Sequence, residues 1–252
     1  MTVSGEDALV ARWTAHHRFT ADSVLIVHSA FRHLGAAGLA PERLCAALLA
    51  GLGDATLLMP TMTWRTVNPV NPVFDARETP SHTGVLTECF RRHFATHRSL
   101  HPTHSVAGRG RLAPLLLSTH HQGSTPCAGN SPYGLARDYD CWVLLLGVGL
   151  ECCTAIHHAE EVMAPDLYLN PDSAAEAYRL IGLDGAEHAM RLRRHARIPR
   201  DFPAFASRLT PGTELVLGED FATPWMLLPM APLLRTVFAS LVADPYATVR
   251  KL

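Results

Sequence analysis

Val143-Leu-Leu-Leu-Gly-Val-Gly-Leu-Glu-Cys-Cys-Thr-Ala-Ile-His-His-Ala-Glu160 is the stretch on which the fold of this 252-residue sequence turns. An apolar run passes through Gly147 and Gly149 into a segment of helical pattern whose first turns carry Thr154, His157 and Glu160. A buried strand that exits through glycines into a helix is the repeating unit of an α/β fold. It also aims an imidazole and a carboxylate at one spot.

Outward from that stretch the same unit recurs. Ser23-Val-Leu-Ile-Val-His28 reads as a buried strand, residues 41–51 as a helix with proline at its start and glycine at its end, and Thr56-Leu-Leu-Met-Pro60 as the next strand. The expected fold is therefore α/β, with a mixed, largely parallel central sheet flanked by helices. Residues 64–80, rich in Asn and Pro, read as a long loop, and residues 83–94 as a helix. Further on, the pattern predicts a helix over 173–183, a basic stretch over 191–200, a strand over 214–217 and a last helix over 229–242. Residues 1–252 are expected to form one domain. Residues 1–161 carry the motifs, and 162–252 form a second, less strongly patterned part.

At 48% hydrophobic residues the chain can bury a full core. The first seven residues lack the basic and apolar regions of a signal peptide, and no apolar run approaches a membrane span, so a cytoplasmic protein is expected. Six scattered cysteines with no Cys-x-x-Cys pair fit reduced thiols better than a disulfide framework or a zinc ribbon.

The net charge of -1 conceals a reversal along the chain. From Cys89 to Arg137 there is no Asp or Glu, whereas Asp138 to Tyr178 holds eight carboxylates and no Lys or Arg. Such blocks suit either solvated faces or a site that holds a polyanion beside a cation. Nucleic acid fits poorly, because the basic block lacks interleaved aromatics.

With Thr154 as N-cap, its hydroxyl is expected to accept a first-turn N–H, and His157 falls at the third helical position. Glu160, one turn on, can fix the imidazole tautomer and steady the imidazolium that forms when a proton is taken from an amine or hydroxyl. The same spacing also makes ordinary surface ion pairs. His157, His158, Glu161 and His101-x-x-His104 invite a metal-dependent hydrolase as the alternative, but there is no His-Glu-x-x-His, and no metal is expected. No Gly-x-Ser-x-Gly elbow, Walker loop or dinucleotide fingerprint is present. Cys152 or Cys153 beside a helix start could serve as a thiolate that carries a transferred group.

Six pieces taken in order resemble the aminoglycoside 3-N-acetyltransferase family, which is distinct from the GNAT acetyltransferases. They are His28-Ser29 with Leu34-Gly35; Leu58-Met59-Pro60-Thr61; Thr79-Pro80-Ser81 with Gly84, Glu88 and Phe90; Arg98-Ser99-Leu100-His101-Pro102-Thr103-His104-Ser105; Gly129-Asn130-Ser131-Pro132; and Leu145 through Thr154, His157 and Glu160. They cover residues 23–161.

The resemblance implies transfer of an acetyl group from acetyl-CoA to an amine of an aminoglycoside-like acceptor. His157 would be the base, with Glu160 and Thr154 beside it. It places His28, Ser29, Ala30, Phe31 and Arg32, together with Ser81, His82, Thr83, Gly84, Val85 and Leu86, along the CoA channel, with His101 and Ser105 close by. Trp64, Asp75 and Glu161 are expected on the acceptor side. The partners are then a CoA thioester and a small amine, with neither nucleic acid nor membrane and with a homodimer left open. His158 and Cys152-Cys153 depart from the family's usual residues, and the match thins beyond Pro165. A smaller amine, such as an amino acid, a peptide or a biosynthetic intermediate, is therefore the rival acceptor.

Overall fold

The computed structural model describes residues 4–250. In chain order its strands are β1 Ser23–Ser29, β2 Thr56–Pro60, β3 Val73–Asp75, β4 His97–Arg98, β5 Val106–Arg109, β6 Asp140–Leu146, β7 Glu176–Ile181, β8 Glu187–Leu192, β9 Val216–Asp220 and β10 Thr223–Pro229. Its α-helices are α1 Gly5–Thr14, α2 Arg32–Ala36, α3 Pro41–Leu52, α4 Val85–His93, α5 Ala113–Leu117, α6 Pro132–Ala136, α7 Ala155–Met163, α8 Pro165–Tyr168 and α9 Met230–Ala243.

Seven strands form a mixed sheet in the order β4-β5-β2-β1-β6-β10-β9, flanked by helices as the sequence pattern predicts. Parallel pairing is confined to the centre, β2-β1-β6, where Val24 stands opposite Thr56 on one side and Cys141 on the other. The outer pairings, β5 with β2, β4 with β5, β10 with β6 and β9 with β10, are antiparallel, so the sheet is mixed as expected but not largely parallel: its edges are built from hairpins and short returns instead of helical crossovers. The central strands read as continuous apolar runs because helices cover both of their faces.

Side chains on a strand alternate between faces, and that alternation splits the core in two. Val24, Ile26, Leu58, Val143 and Leu145 pack with α5, α6, α7 and α9. Leu25, Val27, Leu57, Met59, Leu144 and Leu146 pack on the opposite face with α1, α3 and α4. Leu144 is fully buried in that second layer, so truncation to Ala would cost ~2–5 kcal/mol.

Three further expectations are corrected. Residues 173–183 are not a helix. Tyr178 and Leu180 are buried while Ala177 and Arg179 are exposed, which is the period of a strand, and β7 turns back through Gly185 (φ +84) to pair with β8. The 64–80 loop contains β3, whose buried Phe74 pairs alongside β7 and closes a three-stranded sheet over its own small core. The strand placed at 214–217 begins at Val216 and is one arm of the hairpin β9-β10, whose second arm joins β6 at the centre of the molecule. No helix among the described residues is long and apolar enough to cross a membrane.

Candidate active site

The three parallel strands β1, β2 and β6 end on the same side, and ligands of open α/β sheets bind at such strand ends. His28 and Ser29 finish β1, Pro60 finishes β2, and β6 leaves through Gly147 and Gly149 toward α7. Gly147 has φ +68, and a Cβ there would lie 2.7 Å from the Ala30 carbonyl oxygen, so only glycine lets β6 turn this close to β1. Gly84 (φ +120) plays the same part where α4 begins, with its Cβ position 3.4 Å from the Ser29 carbonyl oxygen.

A cavity of about 520 Å³ opens among these ends. His157 lines it from the third position of α7, together with Thr154. Nδ1 of His157 lies 2.7 Å from Oε2 of Glu160. A carboxylate only accepts, so Nδ1 carries the proton and Nε2 is left as the basic nitrogen.

Glu160 has no exposed surface. Thr248 Oγ1 donates to its Oε1 at 2.6 Å, and the Arg200 guanidinium reaches it at 3.3 Å. Burial alone would raise this carboxyl; the hydrogen bonds and charges of His157, Arg200 and Thr248 outweigh burial and hold it below the ordinary range. Thr154 stands at the cap position, but its hydroxyl makes no capping bond. Its backbone is already helical (φ -59, ψ -25), which turns the side chain away from the first-turn amides.

Six of the residues expected along the CoA channel border the cavity: His28, Ser29, Ala30, His82, Thr83 and Gly84. Nε2 of His28, Oγ of Ser29 and both ring nitrogens of His82 are buried with no protein partner, the condition of polar groups that a ligand would satisfy. Burial drives the His28 imidazole down to about 4, so it meets a ligand neutral. Trp64 also borders the cavity, set edge-on to His82 with ring centroids 4.3 Å apart.

The other expected residues lie elsewhere. Phe31 and Leu86 are core side chains, and Arg32 and Val85 are exposed outside the cavity. Ser81 bonds Thr83, and its backbone N–H donates to Glu88, so it shapes the loop instead of lining the cavity. His101 is fully buried and its Nδ1 accepts the N–H groups of Thr103 and His104, whereas Ser105 binds Thr61 and Arg98. Asp75 closes a turn by accepting from the N–H groups of Arg77 and Glu78. Glu161 is 7% exposed and both of its oxygens are engaged, by Thr125 Oγ1, the Cys127 N–H and His195. Its carboxylate is turned to these partners and does not border the cavity.

The charge blocks do not meet as a polyanion site beside a cation site. Five of the eight acidic residues find partners in the basic stretch: Asp166 and Asp172 in Arg193, Glu176 in Arg194, Glu160 in Arg200 and Glu161 in His195. The basic stretch at 191–200 is their counter-charge. Arg98 is buried against hydroxyls and carbonyls, while Arg65, outside the acid-free block, borders the cavity.

The metal reading fails on geometry. His158 points away from His157, its Nδ1 against the Cys127 carbonyl at 2.8 Å. Cys127, Glu161 and His195 present donor atoms within 4.8 Å of one another, but Oε1 of Glu161 is only 2.6 Å from Nε2 of His195. Ligands on tetrahedral zinc, each ~2.0–2.1 Å from the ion, stand about 3.3 Å apart, so this contact is a hydrogen bond. An acyl carrier is equally ill served. Burial pushes the Cys153 thiol up to about 12, and burial with Glu151 raises Cys152, so neither is poised as a thiolate.

The sequence profile of the aminoglycoside 3-N-acetyltransferase family matches residues 26–239. The chain belongs to that family. Aminoglycoside N(3)-acetyltransferase IV of Salmonella sp is 35% identical to this family member over 142 residues, covering 56% of this chain. The matched stretch spans about half, 53%, of that relative's length. Among solved structures, a mutant of aminoglycoside acetyltransferase AAC(3)-IVa in complex with a gentamicin has a TM-score of 0.77 at 23% identity, covering 100% of this chain and 93% of its own. AAC-IIIb in binary complex with CoASH has a TM-score of 0.75 at 19% identity, covering 96% and 97%. The fold is shared along almost the whole chain, including the part beyond Pro165 where the family's sequence motifs thin out.

Several cavity and support residues carry no local signal in the sequence. Arg65 and Glu151 line the cavity beside Cys152, expected there only as a carrier, and His104, marked only as part of a motif. His195, Arg200 and Thr248 reach the α7 carboxylates from 34 to 88 residues away in sequence, where no local spacing could reveal them.

Proposed function

We propose that the chain is an acetyl-CoA-dependent N-acetyltransferase that acylates an amine of an aminoglycoside-like acceptor, with His157 as general base. One observation carries this reading: the cavity-facing imidazole has its far nitrogen locked by a buried carboxylate that is itself held by two further side chains. The CoASH and gentamicin complexes of family members of the same fold support the choice of donor and acceptor.

Acetyl-CoA supplies the activated thioester. A protonated amine cannot attack it, so the ammonium first releases a proton to solvent; Nε2 of His157 then takes a proton from the neutral amine as the new C–N bond forms, and Glu160 stabilises the resulting imidazolium. The C–S bond then breaks, and the sulfur takes the proton back from the His157 imidazolium and leaves as the thiol. The Ala30 N–H is spent on the Leu146 carbonyl. The Phe31 N–H and the first-turn N–H groups of α4, after Gly84, remain as donors for the carbonyl oxygen. Residues 1–161 supply donor binding and the base, and residues 162–252 support the base and complete the acceptor side.

A less cationic amine is the second reading, favoured by the charge of the cavity wall. Among the described residues its one carboxylate is Glu151, which already accepts the Gly149 N–H at 2.8 Å, and Arg65 opposes it. A polycation would meet little attraction there. Thiol release from acetyl-CoA, measured side by side with gentamicin, apramycin and singly charged amines, ranks the acceptors. The base assignment predicts a fall in kcat of about 10²–10⁴-fold for His157→Ala. Unchanged turnover in that variant would remove it.

A further inference from the structure

Consecutive carboxylates on α7 each hold an imidazole, and the two imidazoles are stacked. Glu160 holds His157 at 2.7 Å and Glu161 holds His195 at 2.6 Å. The rings of His157 and His195 lie with centroids 4.3 Å apart and planes 26° apart. Phe202 closes the edge of His157 with centroids at 5.0 Å, and His104 stands edge-on to His195 at 5.4 Å.

We propose that His195, fixed by Glu161, is a positioning residue for the base: its ring face sets the plane of His157 and lies against the imidazolium formed during proton transfer. The proposal rests on the reading of His157 as the base.

Each half of the pair has a distinct outlook. Nε2 of His195 faces Glu161, whose remaining bonds, to Thr125 Oγ1 at 2.6 Å and the Cys127 N–H at 2.8 Å, fix the carboxylate from below. His195 therefore donates inward and cannot reach the cavity with that nitrogen, while His157 donates to Glu160 and keeps Nε2 for the cavity. Two stacked rings cannot both carry a proton without strong repulsion. Burial, followed by the presence of His157, pushes His195 down, which leaves the proton of the reaction to His157. A neutral aromatic face against a cation is attractive, and more so away from water.

The backbone fixes His195 as firmly as its side chain does. It forms an isolated bridge with Leu169, and the Ala196 N–H donates to the Tyr168 carbonyl. Five residues on, Arg200 grips Glu160. One short segment thus braces both carboxylates and the back of the base. Proton transfer tolerates little misplacement, and an error of about 1 Å can cost on the order of 10²-fold in rate.

Two substitutions separate the ring from the hydrogen bond. His195→Phe keeps a face to stack on and removes the donor, whereas His195→Gln keeps a donor for Glu161 and removes the ring. We expect kcat with acetyl-CoA and gentamicin to fall by about tenfold or more in His195→Gln, with KM within about twofold. His195→Phe should recover about tenfold of kcat relative to His195→Gln. Ring-nitrogen NMR of His157 in the full chain without substrate should show one sharp set of signals in the wild type and in His195→Phe, and broadened or doubled signals in His195→Gln.

Equal losses in the two variants, or a smaller loss in His195→Gln than in His195→Phe, would overturn the proposal. So would unaltered His157 signals in His195→Gln. A wild-type chain that turns over none of the amines tested removes the acyltransferase reading alone, because the NMR comparison judges the stacked pair without activity.

Discussion

Thr248, near the end of the described chain, donates a 2.6 Å hydrogen bond to the Glu160 carboxylate, 88 residues earlier. The bond is fully buried, so its loss strands an acceptor away from water and costs ~1–3 kcal/mol. Thr248→Val keeps the shape and removes the donor. The expected result is a loss of that size in urea unfolding at neutral pH, with a several-fold lower kcat because Arg200 alone then steadies Oε1. A Thr248→Val protein as stable and active as the wild type would show that Glu160 does not depend on this contact.

How much of this site is legible in the sequence depends on distance along the chain. His157 and Glu160 share one helix three residues apart, so the pair can be read from spacing alone, and glycines at 147 and 149 mark the turn that presents it. Thr248, Arg200 and His195 arrive by tertiary folding and leave no local trace. The stretch Ser173-Ala-Ala-Glu-Ala177 consists mostly of good helix formers, yet Tyr178 and Leu180 find a sheet to pack in, and packing outweighs propensity. Of the eight carboxylates of 138–178, five, Glu160, Glu161, Asp166, Asp172 and Glu176, look like part of a cation site only until their partners from 191–200 are folded over them.

Acid sensitivity follows from imidazoles buried in the neutral form. Burial lowers His28 and His120 to about 4 from an ordinary value of 6.5, and it lowers His101 and His104 as well. Between pH 6.5 and 4 the unfolded chain therefore binds more protons than the folded one, so stability is full above the upper value and falls as pH drops through this window. Each such group contributes a slope of ~1.4 kcal/mol per pH unit. His120 sits between Ser99 Oγ and the Pro126 carbonyl, both at 2.9 Å and away from the cavity. His120→Asn should flatten the pH dependence of unfolding by about one proton, read from urea midpoints across the window. An unchanged slope would exclude His120 from the set.

Gly147 is where the strand carrying the site turns toward the helix that holds the base. An alanine Cβ would press to 2.7 Å on a backbone oxygen and 3.2 Å on Thr223 Cγ2, at a φ that L-residues avoid. Backbone atoms cannot yield as a flexible side chain does, so Gly147→Ala is expected to cost ~2 kcal/mol or more. The displaced segment, Val148 to Thr154, borders the cavity, so KM for acetyl-CoA should rise together with the loss in melting temperature. Gly53→Ala is the control: its φ is also positive, but its Cβ meets nothing within 4 Å. It should lose stability through backbone strain and leave KM unmoved.

Glu160→Gln separates orientation from charge. The amide oxygen can still accept from Nδ1 of His157, so the tautomer that leaves Nε2 basic can persist, but no negative charge remains beside the imidazolium. The expected fall in kcat is about 10²-fold or more, with KM for acetyl-CoA little changed, since Glu160 does not line the cavity. Stability gives a second reading of the same group. A carboxyl held below its ordinary value contributes stability that is present above the unfolded value of 4.5 and is lost as pH falls through the folded one. Glu160→Gln should therefore be less stable than the wild type at pH 7, where Arg200 loses a charged partner, and the difference should close as both are taken into acid. A gap that persists at low pH would mean that the amide disrupts packing, and the kinetic loss would then not measure the charge.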